Sequence, residues 1–249
     1  MKFTRPLLIT KLKATSVHLC LSLAVFVYLV YQIYYNWYPQ PYFEVDGGWQ
    51  GIRLVAAVDL VLGPLITFLI FDLRKSRREI LFDLLTIAVI QISALSYGVY
   101  ATYTQRPVAI VLIDEFVFSA IPEQYGGKLK SLEDLRQYSD EHPPIIFAEM
   151  PTTEEGIAEV NRFKLEERVL EHAQLDLYRP KAKLAQALRE RQLLFGDRLD
   201  YYGERDDYRA WLQQNGKSED EVLIAPFGGR YGRVWLVFDV AGNYLSYFD

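Results

Sequence analysis

The sequence holds one cysteine, Cys20, in 249 residues. No disulfide can staple any part of it, and no thiol pair is available for redox or zinc chemistry. Histidine is nearly as scarce: His18, His142 and His172 are the three. None of them pair at metal-ligand spacing, and neither HExxH nor CxxC occurs. The one glycine-rich run, Gly228-Gly229-Arg230-Tyr231-Gly232, lies between two predicted strands rather than between a strand and a helix. A hairpin turn explains it better than a phosphate loop. The pairs Glu154-Glu155 and Glu166-Glu167 read as solvated helix faces. With no catalytic constellation, the chain is expected not to be an enzyme, and no catalytic residue, cofactor or metal is assigned.

Charge is also missing, in three places. No charged residue stands between Lys13 and Glu44, Leu54 to Phe71 contains only Asp59, and Leu84 to Gln105 contains none. A bilayer core is crossed by about 20 mainly apolar residues, in a conformation that satisfies its own backbone. Three transmembrane helices are therefore expected, at about 16–35, 52–71 and 84–103. Lys2, Arg5, Lys11 and Lys13 precede the first, and Arg74, Lys75, Arg77 and Arg78 fill the second loop, whereas the first loop carries only Arg53. Cations mark the cytoplasmic side, so the N-terminus is cytoplasmic and everything after Gln105 lies outside. Tyr34, Tyr35, Trp37, Tyr38, Tyr42 and Trp49 form an aromatic belt at the outer end of the first span. That span is an anchor rather than a signal peptide. It is too long for a signal core, and bulky Asn36-Trp37-Tyr38-Pro39 follows it in place of a small-residue cleavage site.

The remainder, 106–249, has 18 Lys and Arg against 26 Asp and Glu. Such an acidic balance argues against a nucleic-acid surface and fits poorly with docking on anionic lipid. A β-branched run from Val108 to Ile113 predicts a strand continuing through Phe116 and Phe118, and Ile145 to Ala148 a second. Ser131 caps a short helix. Thr152 or Thr153 caps a long one over about 154–176. Further helices are expected at 181–194 and 206–214. Val222 to Ala225, Arg233 to Val240 and Tyr244 to Phe248 close the chain as strands. The expected architecture is a transmembrane domain, 1–105, followed by an α+β periplasmic domain, 106–249, with a mainly antiparallel sheet.

Asp59 is the residue most out of place. A carboxylate at bilayer depth costs about 2.5–3.5 kcal/mol on insertion scales and marks a functional candidate. Three readings are open. It is protonated or hydrogen-bonded to neighbouring spans, with Ser96 at similar depth; it reaches interfacial water; or it binds a polar group of a partner helix. Gln91 suits a helix–helix hydrogen bond, and Pro64 in Gly63-Pro64 predicts a kink. Tyr97, Tyr100 and Tyr103 share one helix face, as interfacial anchors or as a partner surface.

The ordered set His18-Leu19, Val58-Asp59-Leu60-Val61-Leu62-Gly63-Pro64-Leu65, Lys75, Asp83, Gln91-Ile92-Ser93-Ala94-Leu95, Tyr97-Gly98 and Arg106-Pro107 resembles the TfpX/TfpZ family of type IV pilin accessory proteins. The resemblance covers residues 1 to about 120. It implies a bacterial inner-membrane protein, not an enzyme, that acts as a pilin-specific chaperone in type IV pilus assembly. Its partners would be the transmembrane helix and globular head of a major pilin, with the lipid bilayer around it. Asp59, Gly63, Pro64, Gln91, Tyr97, Arg106 and Pro107 are then the partner-binding candidates. The competing class is a membrane-tethered periplasmic sensory or ligand-binding module, but no kinase, cyclase or coiled-coil output accompanies it.

Overall fold

The computed structural model describes residues 5–249; Lys2, one of the N-terminal cations, lies outside them. The chain forms two compact units. One consists of the N-terminal part through Trp37 together with Gly48–Thr104, the other of Tyr38–Gly47 together with Gln105–Asp249.

Three helices make the first unit: α1 (Arg5–Trp37), α2 (Gly48–Ile70) and α3 (Arg77–Thr104), each long and apolar enough to cross a membrane. All three start several residues before the expected spans, because a helix need not stop where its apolar stretch does. At α3 a capping box sets the start: the Ser76 amide donates to Glu79 Oε2 (2.7 Å) and the Glu79 amide to Ser76 Oγ (3.4 Å).

In α2 the turn Ala57–Leu62 is widened to π geometry, and the Gly63 amide bonds the Val58 carbonyl five residues back. Pro64 has no amide proton to give the carbonyl one turn earlier, and a π-bulge is one way a helix absorbs that loss. Glycines bring α2 and α3 together. A Cβ on Gly51 would lie 2.5 Å from Thr102 Cγ2, and one on Gly63 2.4 Å from Gln91 Oε1. Small residues let helix backbones approach in this way. Lys11 of α1 is buried and donates to the Phe68 and Leu69 carbonyls (2.8 and 2.9 Å), which have no partner within α2.

The second unit is built on a seven-stranded sheet: β1 (Ala109–Ile113), β2 (Phe116–Ala120), β3 (Ile145–Ala148), β4 (Tyr178–Arg179), β5 (Val222–Gly228), β6 (Arg233–Asp239) and β7 (Tyr244–Phe248), in the order β4-β3-β1-β2-β5-β6-β7. The sheet is mixed rather than mainly antiparallel. β1 runs parallel to β3, and β2 parallel to β5. The cause is the run read as one strand over 108–118. Asp114 turns it at φ 50°, a conformation Asp tolerates. The resulting hairpin, with Ile113 opposite Phe116, sits mid-sheet, and later strands reach each of its sides by long crossovers.

Alternate residues of β1 and β3 point to opposite faces, and both faces are covered. Ile110, Leu112, Ile145 and Phe147 pack with α5 (Lys181–Glu190), α6 (Gln192–Tyr202) and α7 (Arg205–Asn215). Val111, Ile113, Ile146 and Ala148 pack with Val160 of α4 (Glu154–Glu166) and with Val169, Ala173 and Leu177. α4 is capped by Thr153, whose hydroxyl accepts the Gly156 amide (3.2 Å), and ends well before the expected 176. Val169, Ala173 and Leu177 recur four apart as in a helix, yet two 3₁₀ turns carry Ala173 and Leu177. The Gln174 amide holds them in place by donating to the Val160 and Val169 carbonyls. The expected helix over 181–194 breaks at Arg191 into α5 and α6. There Gln192 exchanges two hydrogen bonds with the Ile224 backbone (2.9 and 3.0 Å).

Tyr38–Gly47, assigned from sequence to 1–105, belongs to this second unit. Tyr42 and Val45 enter its core, with the Tyr42 ring edge-on to Phe227 at 5.3 Å. The glycine-rich run is indeed a hairpin turn, closed by the Gly229 amide on the Gly232 carbonyl (2.9 Å). It grips that segment: the Tyr231 amide donates to the Val45 carbonyl (2.8 Å), and Arg230 Nε to Asp46 Oδ1 (3.0 Å).

Candidate functional site

Several buried polar side chains of the three-helix unit gather at one place. Ser22 lies on α1, one turn beyond His18. Asp59 sits in the widened turn of α2, with Thr67 two turns on, and Gln91 is midway along α3. The Ser22 hydroxyl donates to Asp59 Oδ1 (3.0 Å), and Gln91 Nε2 donates to the same oxygen (2.8 Å) and to the Val58 carbonyl (3.3 Å). Asp59 is 2% exposed. A neighbouring pair supports this cluster. The Thr67 hydroxyl donates to the Gly63 carbonyl (3.1 Å), and His18 Nδ1 lies 2.5 Å from Thr67 Oγ1. A hydroxyl has a single proton, so His18 Nδ1–H is the donor in the second bond.

Gly63 and Pro64 have separable parts in this arrangement. Gly63 leaves the space that the Gln91 amide fills. Pro64 accompanies the wide turn carrying Asp59 and is itself buried. After these bonds are made, two buried atoms of the cluster, Asp59 Oδ2 and Gln91 Oε1, have no hydrogen-bond partner among the described residues.

The cluster forms the floor of a groove of about 570 Å³ between α1 and α3. Its walls are mainly apolar, including Val17, Leu21 and Val25 on α1 and Leu84, Ile87 and Leu95 on α3, with Asp59, Thr67 and Gln91 below.

Of the seven residues expected to bind a partner, Asp59, Gly63 and Gln91 converge here, with Pro64 behind them. Tyr97 is 68% exposed on α3, outside the groove lining. Arg106 and Pro107 belong to the second unit, where both are buried. Ser96, expected beside Asp59, is exposed, and Ser22 and Gln91 bond Asp59 in its place. Ser22, His18 and Thr67 were not anticipated as site residues. The signals for them were the place of His18 in the ordered motif set and the one-turn spacing of His18 and Ser22 in a charge-free span.

A model of the Fimbrial assembly protein FimB family matches residues 6–47. The fimbrial assembly protein of serogroups C1 and C2 from Dichelobacter nodosus is 38% identical over 99 residues, spanning 40% of this chain and 76% of that protein. The chain belongs to the fimbrial assembly protein family. The serogroup I and E1 proteins of the same organism are 38% and 37% identical over 99 residues, which make up 38% of each of them. No solved structure matches. Membership of this family ties the chain to pilus assembly, as the TfpX/TfpZ resemblance implied, although no match bears the TfpX/TfpZ name.

Proposed function

We propose that this chain is a non-catalytic accessory protein of the TfpX/TfpZ kind, which binds a type IV pilin in the bacterial inner membrane and promotes its assembly. In this reading α1, α2 and α3 span the membrane, the N-terminus is cytoplasmic and the sheet unit is periplasmic. The cation-rich segments before α1 and between α2 and α3 support that orientation.

One observation carries the proposal: in a chain with fimbrial assembly relatives, α1 and α3 leave a groove with apolar walls and a polar floor. A pilin subunit joins an apolar helix to a globular head. The groove offers a surface for the helix, and the sheet unit one for the head. Affinity purification of the full chain from detergent-solubilised cells that produce its pilin tests this. Stoichiometric recovery of the pilin is expected; recovery no greater than that of an unrelated three-span protein would refute it.

A further inference from the structure

We propose, resting on the pilin-binding reading above, that the groove accepts one apolar transmembrane helix carrying a hydrogen-bond donor at the depth of Asp59. The donor is a protonated amine, a hydroxyl or an amide, and its acceptors are Asp59 Oδ2 and Gln91 Oε1.

The protons of the cluster are already committed. The Ser22 hydroxyl is spent on Asp59, the Gln91 amide on Asp59 and Val58, the Thr67 hydroxyl on Gly63, and His18 Nδ1–H on Thr67. Asp59 Oδ2 and Gln91 Oε1 stay buried with no donor. Both are oxygens with lone pairs to accept with, and leaving a buried polar atom unmatched away from water is costly. The site therefore lacks a donor rather than an acceptor.

The walls define the shape of what brings that donor. The groove lining runs from Ala14 to Val25 on α1 and from Leu84 to Leu95 on α3, about 16 Å at 1.5 Å rise per residue. A polypeptide at this depth must satisfy its own backbone and so enters as a helix. A lipid tail would suit the walls but brings no donor, since lipid donors sit in the headgroup.

The test uses the full chain in pilin-producing cells, with a photoreactive benzoylphenylalanine at Leu21, at Leu95, or at exposed Leu65 of α2, which is not part of the lining. Leu21 and Leu95 are expected to form adducts with the pilin's apolar helix, mapped by mass spectrometry to a segment containing a donor, and Leu65 is not. Asp59→Asn keeps an oxygen for Ser22 and Gln91 but turns the open acceptor into a donor. It is expected to lower the adduct per unit of protein roughly tenfold, the effect of one lost charged hydrogen bond.

Replacing the mapped donor by leucine in the pilin is expected to do the same, and does not depend on how the Asn variant folds. If the pilin co-purifies but no adduct forms at Leu21 or Leu95, or only lipid or a second copy is captured there, the groove proposal falls and pilin binding stands. A purely apolar mapped segment, or adducts insensitive to both substitutions, overturns the donor requirement. Absence of pilin from the purified protein overturns both readings.

Discussion

Arg230 and Asp46 stand 184 positions apart in sequence, yet Arg230 Nε donates to Asp46 Oδ1 at 3.0 Å. Asp46 has no exposed surface. The guanidinium also donates to the Gln105 carbonyl (2.7 Å) and bonds the Asp46 carbonyl. One side chain thus ties the segment between the first two apolar helices to the sheet unit.

Removing one partner of a buried ion pair strands the other charge, which costs about 3–5 kcal/mol. Arg230→Ala is expected to destabilise the sheet unit near the lower figure, because the arginine is partly exposed. Arg230→Ala with Asp46→Asn should recover part of the loss, since no buried charge is then left alone. Denaturant midpoints of the two variants and the parent check this, and equal midpoints for all three would contradict it.

Two adjacent glycines should respond differently to alanine. A Cβ on Gly229 would lie 2.3 Å from the Val45 carbonyl oxygen, whereas one on Gly228 meets nothing within 4 Å. Gly229→Ala is expected to cost about 2 kcal/mol or more by overpacking, and Gly228→Ala well under that. Hydrogen exchange of the Tyr231 amide, which donates to Val45, should speed up in the first variant only.

His172 makes the stability of the sheet unit sensitive to mild acid. Its ring is buried, 5.4 Å from that of Phe118, with Nε2 3.3 Å from Gln124 Oε1. Burial lowers its pKa below the ordinary 6.5, and neighbouring Glu171 opposes the shift. The unfolded chain then binds a proton that the folded chain refuses, so stability is fully present above 6.5 and falls as the pH drops below it. Thermal unfolding midpoints at about pH 7.5 and about pH 5.5 should differ more for the parent than for His172→Gln.

Much of this was legible in the sequence where physics is local. Charge-free runs located the three long helices, and Asp59, Gly63 and Gln91 stood out as polar or small residues in apolar surroundings. Ser96 misled in depth and in rotation: five residues beyond Gln91, which bonds Asp59, is about 7.5 Å further along the helix and roughly 140° around it. Ser22 gave little warning, because a serine in an apolar helix is common. Tyr42 reads from sequence as part of the interfacial aromatic belt, since its place in the core beside Val45 depends on strands about 180 residues later. The mixed sheet was missed through Asp114, whose left-handed turn cuts an apparently continuous strand in two.

Gly63 and Gln91 should behave as a coupled pair. A Cβ on Gly63 would meet three atoms of the Gln91 amide at 2.4–2.9 Å, so Gly63→Ala must displace that amide from Asp59. Residues in contact give non-additive effects of about 0.5–3 kcal/mol. Gly63→Ala combined with Gln91→Ala is therefore expected to lower protein abundance by less than the sum of the single changes. Quantitative immunoblots of membranes check it, and strict additivity would contradict it.

In the proposed role the chain acts in pilus assembly by engaging the pilin. Counting surface pili in cells that lack it tests that most directly, with pilin levels measured in the same cells. Pili are expected to fall sharply and to return with the parent chain, but not with an equally abundant Asp59→Asn variant. Normal pilus numbers without the chain would contradict that role.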